Sequence, residues 1–119
     1  MRTKVLAIFF LLFALVSFFE DKAIAWGPIT HMTILDDIVR DPRLNPDVRN
    51  ILEENLKYAK GGATGPDMYY FFVKRFSDMA HYCSPGDFAR KMLEMAKKDG
   101  DPKKIAFAYG WMIHVATEL

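Results

Sequence analysis

Apolar residues recur along most of this chain at the three- and four-residue intervals of a helix surface. Met32, Leu35, Ile38 and Val39 mark one such face over Ile29–Val39, and Val48, Ile51, Leu52, Leu56 and Ala59 mark another over Asp47–Ala59. A third runs over Phe88–Lys98, with Met92, Leu93, Met95 and Ala96. A fourth runs over Lys103–Leu119, with Ile105, Ala108, Tyr109, Met112, Ile113 and Ala116. Punctuation agrees with the period. Asn45-Pro46, Ser84-Pro85 and Asp101-Pro102 each set a capping side chain before a proline at the first helical position, and Gly27-Pro28 opens the first segment in the same way. No stretch alternates with period two. The five residues Tyr69–Val73 (YYFFV) read as an aromatic turn or short helix, and Gly61–Asp67 (GGATGPD) reads as a glycine-rich turn that ends the second helix. The expected fold is an all-α bundle of four helices.

The leading segment stands outside this pattern. Arg2 and Lys4 precede an uncharged run of 15 residues, Val5 to Phe19. Glu20, Asp21 and Lys22 follow, then the small-x-small triplet Ala23-Ile24-Ala25. The run falls short of the ~20 residues that usually span a bilayer. Residues 1–25 are therefore expected to be a cleaved export signal, making the product secreted or periplasmic. The acidic pair before the cleavage site leaves a retained membrane anchor as the alternative.

Composition then narrows the chemistry. The chain has 119 residues and a formal net charge of +1, and without residues 1–25 it holds 94 residues with 13 bases and 13 acids. Charge this even gives no electrostatic footprint for nucleic acid and excludes a polybasic arm. It identifies no protein partner. A single cysteine, Cys83, excludes an internal disulfide and a CxxC pair, so a metal is the remaining common staple for so small a core. Cys83 itself reads as a small packed residue or a stray thiol. GGATGPD lacks the lysine of a phosphate loop.

All three histidines, His31, His81 and His114, fall on or beside predicted helices with acidic company. Imidazole with carboxylate is a donor set suited to zinc. His114 and Glu118 are four apart, hence one turn apart on one helix face. Asp67 follows Gly65-Pro66 in what reads as a tight turn that aims a carboxylate inward. Trp26 would become the first residue after cleavage, and its free amine and carbonyl would then chelate one ion through a five-membered ring. Tyr69, Tyr70, Phe71, Phe72 and Phe76 are expected mainly as core fillers, with contact to acyl chains or a choline-like headgroup as the alternative. The pairs Lys97-Lys98 and Lys103-Lys104 read as solvated caps, with anionic lipid as an alternative partner.

As an ordered set, Trp26-Gly27-Pro28-Ile29-Thr30-His31, the GPD ending at Asp67, His81 fourteen residues later, and GWMIHVATE around His114 resemble the zinc-dependent phospholipase C family. The same all-helical scaffold serves related zinc-dependent single-strand nucleases. The resemblance runs from Trp26 to the end of the chain. It implies up to three zinc ions in a cleft between helices, of which one or two would form here. Trp26 and His31 would hold one ion, and Asp67, His81 and His114 a second. Glu118 stands where the family has an aspartate that bridges the two. The family continues past this position with further ligands, whereas this chain stops at Leu119, so a C-terminally truncated product is expected. The implied activity is hydrolysis of a phospholipid headgroup phosphodiester, with Asp67 orienting the attacking water. The alternatives are a zinc nuclease on the same scaffold and a non-catalytic metal-binding fragment.

Overall fold

The structure, a computed structural model, describes residues 27–118. The proposed signal segment, Trp26 and Leu119 lie outside the described residues. Six helices follow one another: α1 (Pro28–Arg40), α2 (Pro46–Glu54), α3 (Leu56–Met68), α4 (Lys74–Tyr82), α5 (Pro85–Asp99) and α6 (Pro102–Thr117). A 3₁₀ turn, Tyr69–Phe71, links α3 to α4. Among the described residues there is no strand, and the all-α class holds.

The proline-marked starts are where the sequence puts them, with one difference. The Asn45 side chain accepts from the N–H groups of Asp47 and Val48, at 2.9 and 3.3 Å. Asp101 does the same for Lys103 at 2.9 Å. Ser84 makes no such bond. Its backbone is left-handed (φ 49°), so it meets α5 only through its carbonyl, which accepts from Phe88 N–H at 3.1 Å.

Two elements depart from the periodicity. The helix expected over Asp47–Ala59 is broken at Asn55, whose φ of −123° leaves the helical region. Its side-chain amide donates to Ile51 O at 3.0 Å, so the asparagine both closes α2 and opens α3. The Gly61–Asp67 segment is not a turn but the second half of α3, and Asp67 stands in its last turn. The glycines answer to a neighbouring helix. A Cβ on Gly62 would lie 2.0 Å from Phe107 O, and one on Gly110 would lie 1.9 Å from Ala59 O. Thus α3 and α6 cross with their backbones in contact, lined by Ala59, Ala63 and Ala106, all fully buried. Glycine's weak helix propensity is overridden by this packing.

One core cluster gathers Leu35, Val39, Leu52, Ala59, Ala63 and Ala106, and a second gathers Ala80, Ala89, Trp111 and Val115. Neither contains the aromatics of the 69–76 segment. Phe71 and Phe72 are 74% and 79% exposed, Phe76 is also exposed, and Tyr69 and Tyr70 are at the margin of exposure. The core-filler expectation fails for these residues: Phe107 and Trp111 of α6 supply the rings that pack against α3, and α4 turns Ser77 and Ala80 inward instead. Cys83 is exposed rather than packed. Helix α4 lies outside the four helices expected, and its apolar residues Phe76, Met79 and Tyr82 face outward rather than into the core.

Replacing Gly62 with alanine is expected to lower the unfolding free energy by about 3 kcal/mol, because its methyl meets backbone. Gly61→Ala places its methyl 3.8 Å from Phe107 Cδ2. It should be neutral or stabilise by up to about 1 kcal/mol. Urea unfolding followed by circular dichroism separates the two outcomes.

Candidate metal centre

Four helices bring five polar side chains to one point inside the bundle. Helix α1 contributes His31, which shares a buried stripe with Leu35 and Val39. Helix α3 contributes Asp67, α4 contributes His81 in its last turn, and α6 contributes His114 with Glu118 at its C-cap. His31 and His114 have no exposed surface, and Asp67 is 3% exposed. The His31 and His114 rings stack with centroids 3.8 Å apart.

Hydrogen bonds at the far side of each ring decide which nitrogen faces the centre. His114 Nδ1 meets Ala63 O at 2.7 Å, and His81 Nδ1 meets Ser77 O at 2.7 Å. A carbonyl only accepts, so both Nδ1 atoms carry the proton. Thr117 Oγ1 donates to His114 O at 2.8 Å, and its remaining lone pair meets His31 Nδ1 at 3.3 Å. His31 is thereby fixed in the same tautomer. All three Nε2 atoms then present lone pairs.

Those lone pairs face other acceptors. His81 Nε2 lies 3.1 Å from His114 Nε2. Asp67 Oδ1 lies 3.2 Å from His81 Nε2 and 3.7 Å from His114 Nε2. Glu118 Oε1 is 3.2 Å from His31 Nε2, and its Oε2 is 3.3 Å from His81 Nε2. Asp67 Oδ2 is buried without a hydrogen-bond partner. Such a concentration of acceptors is unfavourable unless a cation stands among them. His31, Asp67, His114 and Glu118 offer donor atoms all within 4.8 Å of one another. Tetrahedral ligands on zinc bonds of about 2.0–2.1 Å lie roughly 3.3 Å apart, the spacing observed between the closest pairs here.

Without a cation the groups shift so as to shed charge. Burial pushes His114 down to about 4, and its other main influences are the Ala63 carbonyl, which raises it, and the His31 and His81 charges, which lower it. Burial raises Asp67 and Glu118 above the usual carboxylate range, against the lowering influence of the neighbouring histidines. A bound divalent ion would reverse the two carboxylate shifts and reinforce that of His114, because it favours carboxylate and neutral imidazole.

Of the six ligands expected from sequence, His31, Asp67, His81, His114 and Glu118 are brought together, and Trp26 lies outside the described residues. Three supporting groups were not foreseen: Ala63 O, Ser77 and Thr117. Ala63 and Ser77 act on the rings through backbone carbonyls, which residue type does not signal, whereas Thr117 acts on His31 through its hydroxyl. The Ser77 hydroxyl also donates to Pro66 O at 2.6 Å, tying α4 to α3 beside Asp67.

Fold and site together define an all-α domain with a buried histidine–carboxylate cluster suited to a divalent metal. A family model described as zinc dependent phospholipase C matches residues 30–117, and the chain belongs to that family. Neither the curated proteins nor the solved structures give a significant match.

In chelated protein, His114 contributes stability that is complete above its ordinary value of 6.5 and is lost as pH falls toward about 4, because the unfolded chain binds the proton first. The stability advantage of wild type over His114→Asn should therefore shrink across that window. Unfolding titrations between pH 4 and 7 check this, and parallel profiles would contradict it.

Proposed function

We propose that the chain is an exported zinc-dependent phosphodiesterase that cleaves phospholipid headgroup phosphodiesters. The observation that carries the reading is the 3.1 Å approach of two Nε2 lone pairs beside the orphaned Asp67 Oδ2, in a chain of the zinc-dependent phospholipase C family. His81, His114 and Asp67 would hold one ion. His31 would hold a second, joined by the amine and carbonyl of Trp26 once residues 1–25 are removed. Glu118 supports a bridging role, since one of its oxygens faces His31 and the other faces His81. Its longer side chain starts from the C-cap of α6 and still reaches both rings.

Zinc held there supplies Lewis acidity that polarises a phosphoryl oxygen and brings the pKa of attacking water to about 7. The protein's own groups do the rest. Asp67, with one buried and unpartnered oxygen, would orient water and take its proton at Oδ2. Ala63, Ser77 and Thr117 keep the three imidazoles in the tautomer that leaves Nε2 unprotonated. The buried flanks of α1, α3 and α6 exclude bulk water. No helix of the described residues is long and apolar enough to cross a membrane, and export is ascribed to residues 1–25.

The zinc-loaded chain beginning at Trp26 should release phosphorylated headgroup and diacylglycerol from phosphatidylcholine while leaving single-stranded DNA intact. Chelated protein should release neither. Zinc-loaded protein inactive on phosphodiester lipids, or activity indifferent to chelation, would overturn the reading. His81→Ala should lower zinc affinity about tenfold or more, read by chelator competition. One extra residue before Trp26 should weaken zinc binding far more than Trp26→Phe, because the terminus and not the indole is the ligand.

A further inference from the structure

The cluster is least buried on one side. Glu118 and His81 retain 13% and 7% side-chain exposure, whereas His31 and His114 retain none. The His81 ring is flanked by Tyr70, at 5.4 Å between centroids, and by Tyr82, at 6.1 Å. From these tyrosines an apolar surface extends outward. Helix α4 buries Ser77 and Ala80 and leaves Phe76, Met79 and Tyr82 on its outer face. The 3₁₀ turn adds Phe71 and Phe72, and its Tyr69 packs on Phe76 at 4.9 Å. Exposed apolar side chains concentrated in one segment mark an interaction surface.

We propose that this aromatic collar docks the domain on a lipid bilayer, with Phe71 and Phe72 entering the acyl region and Arg75 meeting lipid phosphate. The inference rests on the phospholipid reading of the site, and it adds the surface by which that site would reach its substrate. Three observations favour lipid over a protein partner. Phe71 and Phe72 are consecutive, so their side chains point in different directions around the turn; a fluid acyl layer accommodates both, whereas a helix groove takes residues three or four apart. Tyr70, next to the His81 ring, is less exposed than Phe71 and Phe72, which suits the depth order of an interfacial aromatic belt. Charge is complementary as well. Lys74 is paired with Asp78 at 2.6 Å, but Arg75 is exposed and pairs with no carboxylate among the described residues.

The test uses the chain that begins at Trp26, without the apolar run of residues 1–25, carrying an environment-sensitive fluorophore at Phe72→Cys in a Cys83→Ser background. Vesicles are phosphatidylcholine, with or without phosphatidylglycerol, and contain nitroxide-labelled acyl chains. Expected are co-flotation with vesicles, a blue shift, and quenching of the fluorophore. Phe71→Ser should then lower vesicle affinity about tenfold, and Arg75→Gln should weaken binding chiefly to the anionic vesicles. Zinc content and hydrolysis of a water-soluble phosphodiester should be unchanged in both variants. Flotation with an unquenched fluorophore would assign membrane contact to another segment and overturn the proposal. So would absence of flotation, or a concentration-dependent dimer that shields position 72. Vesicle docking through the collar without phosphodiester hydrolysis would retain the docking surface and overturn the proposed activity instead.

Discussion

Two imidazole nitrogens 3.1 Å apart, each with its proton on the opposite side of the ring, cannot hydrogen-bond to one another. That contact constrains the domain more than any apolar cluster does. It is stable only with positive charge between the rings, and the two nearby carboxylates make the same demand. Protons answer it weakly, as the lowered His114 and raised Asp67 and Glu118 show. A divalent cation answers it for all five side chains at once. A domain whose core is mostly alanine then has, in such an ion, the cross-link that its single cysteine cannot provide.

The backbone contact between α3 and α6 places the two halves of the cluster. Gly62 against Phe107 O and Gly110 against Ala59 O set the separation of these helices. The same approach carries Ala63 O to His114 Nδ1, so helix packing and histidine tautomer have one cause. Pro66 and Ser77 extend the arrangement to α4, which supplies His81. The cluster is therefore assembled from residues held by packed helices rather than by loops, which suits ligands that must keep a fixed spacing.

The helical class, the three proline-marked starts and the identity of the clustered residues were legible because each has a local cause: a 3.6-residue period, a capping side chain, a donor type that favours metal. What was not legible depends on distant neighbours. Gly61-Gly62 and Gly65-Pro66 look like a turn until α6 is laid against them, where Gly62 meets the Phe107 carbonyl and Gly65 the Trp111 ring. Residues 69–76 look like core because they are aromatic. They are outside because α4 turns Ser77 and Ala80 inward, while Phe107 and Trp111 of α6 supply the rings against α3. Asn55 ends one helix and begins the next through a single side-chain bond that periodicity does not register. In the site, the histidines stood out by residue type and Asp67 and Glu118 by spacing and family resemblance, whereas the Ala63 and Ser77 carbonyls and the Thr117 hydroxyl could be recognised only once the helices were packed.

X-ray absorption at the zinc edge of the metal-loaded chain addresses the central claim most directly, since it reports what surrounds the ion. The account predicts a nitrogen and oxygen shell at about 2.0–2.1 Å with the multiple scattering of two or more imidazoles. A sulfur shell near 2.3 Å, or a spectrum without imidazole scattering, would show that the facing histidines do not share a metal and would contradict it.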